Sequence, residues 1–241
     1  MDLTTTQILL AASAVALGAL VQSLVGFGQA LVAAPLLFLV HPQLVPGPIL
    51  ASSLVVAMLN TWYNRSGLRF RELGAAIIGM VPGSIVGALL LKLLPQQALS
   101  IFFAGTILLA VAISISHLHI TPTRNKMFAA GCVAGIMGTT SAINGPPMAL
   151  MLQHEQAGRL RANLAGFFTA ANIVGLTTLS SSGLMQAEHW QAGGYMALGG
   201  IIGFTAAYKL RGHFRPEWLR PALLFLCSMA ACVVLLRAFS A

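Results

Sequence analysis

The chain is short of charge. Thirteen Lys and Arg and five Asp and Glu are spread over 241 residues, 7% of the total, against roughly a quarter in a typical soluble domain. A water-facing surface cannot be built from so few charges, so a soluble fold is excluded. The gaps say more than the total. After Asp2 no Asp, Glu, Lys or Arg appears before Arg65, and charge-free stretches run over 93–123, 127–154, 162–187 and 189–208. Each accommodates a helix of about 20 residues, the length that crosses about 30 Å of hydrocarbon. The composition is that of a polytopic membrane protein.

Other scarcities narrow the function. Cys132, Cys227 and Cys232 all lie in apolar segments, with no CxxC and no Cys/His ligand spacing, so they read as packing residues and no metal or cofactor is expected. No Asp or Glu sits centrally in an apolar stretch, which argues against a carboxylate-based proton antiporter or an acidic cation filter. No His, Asp, Glu or Cys constellation converges at one depth, which disfavours a membrane enzyme or an accessory protein without transport activity. The ten Met are scattered, unlike a metal permease. Net charge is +8, but nucleic acid is not the expected partner, because excess Lys and Arg in a membrane protein mark cytoplasmic loops. The Met-Asp-Leu-Thr start lacks a basic n-region, so the first apolar segment is expected to stay in the bilayer.

What is present is eight apolar stretches: 7–40, 47–63, 73–91, 97–117, 127–152, 162–182, 191–208 and 219–239. No soluble domain fits between them, and residues 1–241 are expected to form one transmembrane domain. Two stretches are anomalous. Residues 7–40 exceed one crossing and are interrupted by Gly26-Phe27-Gly28. Residues 127–152 are interrupted by the run from Gly138 to Pro147. Gly lowers helix stability and Pro removes a backbone donor, so neither stretch reads as continuous helix. A shift of 112 residues lays Gly138 on Gly26, Pro147 on Pro35 and Asn172 on Asn60. Slightly larger shifts lay Gly199 and Gly203 on Gly83 and Gly87, and Leu219 on Leu99. Their shared order implies two homologous halves, 1–120 and 121–241.

Loop charge chooses the topology. If all eight stretches cross once, basic residues divide six against seven. If the two broken stretches are hairpins that return to their starting side, loops 64–72, 118–126, 153–161 and 209–220 share one side with eleven Lys and Arg, leaving Lys92 and Arg237 opposite. The positive-inside rule selects the hairpins. Three crossings per half then invert the second half relative to the first, with both termini outside. The expected fold is therefore all-α: two inverted repeats, each a broken or re-entrant hairpin plus three transmembrane helices.

A break at membrane depth is tolerated only where protein or a wet cavity satisfies its backbone, and in inverted-repeat transporters such breaks meet near the midplane. Candidate substrate-binding residues are Gly26, Gly28 and Gln29 at the first break, and Gly138, Thr139, Thr140, Ser141, Asn144 and Gly145 at the second. Asn60 and Asn172, at matching places in the following helices, complete the set. Pro35, Pro146 and Pro147 are the expected hairpin-break residues. Tight helix packing is the competing account of one such Gly and hydroxyl cluster; two at equivalent places favour a site. His154-Glu155 reads as an interfacial ion pair beside Arg159 and Arg161. His117 and His119 read as interfacial, and Trp62, Trp190 and Trp218 as an aromatic belt.

Gly26-Phe27-Gly28-Gln29 followed by Pro35, and Gly135-x-x-Gly138 through Asn144-Gly145-Pro146-Pro147 with Leu150-x-Leu152, resemble the motifs of the sulfite exporter TauE/SafE family. The resemblance spans essentially the whole chain. It departs from the family's usual pattern at Gln29-Ala30, where glycines are common, and at Thr139-Thr140, where Ser-Gly is. It implies an inner-membrane permease for small sulfur-containing oxyanions or organic anions such as sulfite and sulfonates. The expected partners are a small anionic substrate and the lipid bilayer. A coupling proton or ion and a homo-oligomer are left open.

Overall fold

Thr4 opens the first helix with a reciprocal cap: its hydroxyl accepts the Gln7 N–H at 3.3 Å while Gln7 Oε1 accepts the Thr4 N–H at 3.0 Å. The helix so started, α1 (Thr5–Val25), is 21 residues long, about 31 Å at 1.5 Å per residue. The structure, a computed structural model, describes residues 3–115 and 120–210 together with Met229. The eighth apolar stretch (Met229 apart), His117, His119, Trp218, Cys227, Cys232 and the basic residues beyond 210 lie outside the described residues. So does most of the loop 209–220.

All regular structure among the described residues is helical. After α1 come α2 (Gln29–Val40), α3 (Gly47–Tyr63), α4 (Phe70–Leu93), α5 (Gln96–Ile115), α6 (Arg124–Ser141), α7 (Gly145–Met151), α8 (Ala157–Ser181) and α9 (Ala187–Leu210), with 3-10 turns at Pro42–Leu44 and Arg65–Gly67. Five of these are long and apolar enough to cross a membrane: α1, Pro42–Tyr63, α4, α5 and α8. The chain is a multi-pass membrane protein. Helix α9 has the length, but its glycines with Trp190, Gln191 and Tyr195 dilute its apolar character. Helix α6 is diluted likewise by Arg124, Asn125, Lys126 and its last-turn hydroxyls.

Side-chain size, rather than polarity, sorts the faces. On α4 the exposed residues are large, with Ile78, Val81, Ile85, Leu89 and Leu93 falling three or four apart. The buried ones are mostly small, including Ala76, Gly79, Gly83, Ser84 and Gly87. Lipid tails are as apolar as leucine, so burying leucine drives nothing; small residues instead let backbones approach. Gly79 and Gly83 of α4 lie against the carbonyls of Phe128 and Cys132 on α6, and Gly131 of α6 against the carbonyl of Ala76. Gly199 and Gly203 of α9 lie in the same way against the carbonyls of Ala12 and Ala16 on α1. Both pairs run parallel, and each joins a helix of residues 1–120 to one of residues 121–241. Helices α3 and α8 cross between the pairs, where the Thr61 and Thr169 hydroxyls meet at 2.9 Å.

The ends of the bundle follow from these pairings. The turn after α3 lies on the start of α8, where Gly67 faces Ala162 and the carbonyl of Gly158. The starts of α4 and α6 and the end of α7 surround one cavity there. Loops 64–72, 122–124 and 153–161 therefore meet at one end, which we call the loop end. At the other end Gly47 lies against Met185 and Gly193 against Pro48.

Candidate functional site

Two interruptions of regular helix face each other across the interior. At the first, Gly26 (φ 109°) ends α1 and Gly28 (φ 117°) precedes α2. Both are left-handed, a conformation costing about 1–2 kcal/mol for residues with a Cβ. Gly28 has no side chain to cap α2, and the first N–H groups of a helix lack intrahelical partners. The amides of Gln29 and Ala30 thus begin α2 against the interior. The second interruption is shorter than the sequence suggested. Helix α6 continues to Ser141, because the Thr140 hydroxyl donates to the Ile136 carbonyl (2.7 Å) and that of Ser141 to Met137 (2.6 Å). The break is Ala142-Ile143-Asn144, and Ala142 is left-handed (φ 62°), alone among the described non-glycine residues. In role, Gly26 matches Ala142, one helical turn beyond Gly138. Pro146 and Pro147 fill the first turn of α7. Pro35 does not mark a break: it lies buried inside α2, because the positive-φ glycines have already turned the chain.

Between the breaks is a small cavity of about 20 Å³, room for one water. Gly28, Gln29, Asn144, Gly145, Pro146 and Asn172 line it, so these predicted residues are brought together. Gln29 is 1% exposed, and neither its Oε1 nor its Nε2 has a hydrogen-bond partner. A buried polar group left so costs about 1–3 kcal/mol. The Ser53 hydroxyl at the same cavity is also without a partner. Among the described residues no Asp, Glu, Lys or Arg lines the space, so what they offer a ligand is backbone, amide and hydroxyl.

The other predicted residues lie elsewhere. Asn60 Nδ2 donates to Ser23 Oγ at 3.1 Å and to the Val56 carbonyl at 2.9 Å, locking α3 to α1, whereas its sequence counterpart Asn172 faces the cavity. Gly138 receives the Asn144 side chain against its backbone, and Thr139 is buried beside Gly87. Thr140 lines a separate cavity of about 160 Å³ with Phe38, Pro42, Gln43 and Gln96, away from the loop end. Gly26 lies against Arg161. Sequence reading missed Ser53, Gln22 and Phe168, which line the central cavity. No local signal distinguishes them from packing residues.

A third cavity, about 610 Å³, opens at the loop end and is lined by Arg71, Glu72, Arg124, Leu152 and Glu155 among others. Glu155, expected as an interfacial charge beside Arg159 and Arg161, is gripped there by an amide, with the charge of Arg159 acting on it as well. Asn163, fully buried, donates Nδ2 to both carboxylate oxygens (3.0 and 2.9 Å), and its Oδ1 accepts the Arg69 N–H at 2.9 Å. Burial pushes the Glu155 carboxyl above its ordinary range, against the lowering effect of the Asn163 bond.

A protein that only had to pack would gain by replacing an unpaired buried amide with a hydrocarbon side chain. Lipid-facing helices around an interior of backbone, amide and hydroxyl groups have the architecture of polytopic membrane transporters. The chain is a member of the Sulfite exporter TauE/SafE family, whose sequence model matches residues 10–234. No curated protein and no solved structure matches it.

Proposed function

We propose that the chain is a permease of the bacterial inner membrane that moves a small anion, a sulfur-containing oxyanion or organic anion such as sulfite or a sulfonate. The observation that carries this is Gln29: a buried amide without partners, at the start of α2, in a cavity that no carboxylate of the described residues lines. Neutral donors in an apolar surround suit an anion, and any carboxylate there would repel it. The family membership supports the sulfur-oxyanion class. Movement follows alternating access between two inverted halves, 1–120 and 121–241. The central cavity is too small for sulfite, while wider cavities lie on either side of it at opposite ends of the bundle; that pattern is expected of a carrier caught closed. Loops 64–72, 118–126, 153–161 and 209–220 are cytoplasmic in this reading, which puts the loop end inside the cell.

Radiolabelled sulfite, a sulfonate and a carboxylate are each offered to proteoliposomes containing the full chain. At least one should enter, and Gly145→Leu should reduce its flux by roughly tenfold or more, since a side chain at Gly145 projects toward Phe27 and Phe168 at the cavity wall. Entry of none of the three, with none raising the thermal stability of the protein, would defeat the permease reading.

A further inference from the structure

No Lys or Arg among the described residues lines the central cavity, yet Arg161 packs on the break beside it. Residues 161, 165, 168 and 172 follow one face of α8, being four, seven and eleven positions apart. Phe168 and Asn172 line the cavity. Arg161 lies two turns nearer the loop end, about 10 Å along the axis. A Cβ at Gly26 would meet Arg161 Cγ at 3.0 Å and Arg161 Cα at 3.5 Å, so Arg161 packs directly on the first break. The next residue, Phe27, lines the cavity and, with Phe168, surrounds Gly145. Arg161 is half-buried. It therefore stands at the foot of the wall formed by Phe27 and Phe168, on the loop-end side.

We infer that Arg161 is an anion-binding station on the loop-end side of the first break, taking the small oxyanion as it leaves or enters the central cavity. The inference rests on the permease reading. A planar guanidinium presents paired N–H donors that match two oxygens of a sulfite- or sulfonate-like group, and partial burial strengthens that attraction over its value in water. The division of labour has a physical reason. A permanent cation inside the central cavity would hold an anion too tightly to release it, whereas one just outside draws the anion without trapping it. Gly26 serves this arrangement twice, through its left-handed backbone and through the absence of a Cβ against Arg161.

The test measures half-saturation for radiolabelled sulfite and for a radiolabelled sulfonate in right-side-out and inverted membrane vesicles carrying the full chain. Arg161→Gln should raise the half-saturating concentration roughly tenfold or more when the anion is offered at the loop end. From the other face the change should stay within about twofold, because there the anion first meets Gln29 and Asn144. Arg161→Lys, which keeps the charge without the fork, should fall between wild type and Arg161→Gln. An unchanged value at the loop end, or an equal rise at both faces, overturns the station. Should Arg161→Gln not accumulate in the membrane, Arg161→Lys decides by the same comparison. If the wild-type chain carries neither anion from either face, the permease reading fails and this inference with it; if it carries them and only the sidedness is missing, the inference alone fails.

Discussion

Replacing Gln29 with leucine keeps a side chain of similar size and removes two buried polar atoms that lack partners. Gln29→Leu should therefore leave the protein as stable as wild type or more stable, by about 1 kcal/mol, while transport falls at least about tenfold. Thermal unfolding in detergent and anion flux read the two effects separately; a loss of both would mean that the amide holds the fold. Glu155 gives a second prediction at this scale. Its folded carboxyl binds its proton more tightly than an unfolded one does, so its contribution to stability is full at low pH. That contribution is lost as pH rises through the folded value, where a half-buried charge must form. Unfolding temperature measured across that interval should decline in wild type, decline less in Glu155→Gln, and decline further and up to higher pH in Asn163→Ala, which lacks the bond favouring the carboxylate. Identical profiles for the three would contradict the assignment. Gln29 was legible from its place after Gly26-Phe27-Gly28. The amide that grips Glu155 was not, because Asn163 is one polar residue among many at a helix start.

Helix pairs are held by what their glycines omit. Gly203 has the Ala16 carbonyl where a Cβ would be, while Gly194, on the same helix, has nothing within 4 Å. Gly203→Val should cost about 3 kcal/mol or more, since backbone must separate from backbone. Gly194→Ala should be neutral or gain up to about 1 kcal/mol from helix propensity. Thermal unfolding of the two variants against wild type checks the contrast, and equal effects would show that the α1–α9 contact is not the tight one. The sequence marks both positions simply as glycine in an apolar helix. Which glycine faces a neighbour is decided by a helix almost 190 residues away in the chain. The breaks show the same division. Gly26-Phe27-Gly28 interrupts α1 and α2 where the sequence says it must, because positive φ demands glycine. The second break lies nearer its prolines than Gly138 suggested, because Thr140 and Ser141 satisfy their hydroxyls within the last turn of α6.

For the molecule as a whole, the scarce charges and the packing bear on the same topology. Loops 64–72, 122–124 and 153–161 meet at one end of the bundle, and α4 and α6 run parallel from it. Single cysteines at positions 122 and 156, in a chain whose native cysteines are replaced, should react with an impermeant maleimide from the same side of the membrane. A cysteine at position 94, between α4 and α5, should react from the opposite side. Labelling of 122 and 156 from opposite sides would sink the paired-hairpin arrangement and, with it, the inverted halves.

Shortage of charge was enough to establish a multi-pass helical membrane protein, and the glycines of positive φ were enough to locate its first interruption. These are local properties: a charge cannot stay in hydrocarbon, and an L side chain resists the left-handed backbone. The tertiary structure decided which polar residues of the breaks share a cavity, that Asn172 faces it while Asn60 is tied to Ser23, and that Arg161 stands beside Gly26. In a soluble helix polarity announces the buried face. In a lipid-facing bundle both faces are apolar and only side-chain size separates them, so the sequence carries little signal for which faces meet until the helices are packed.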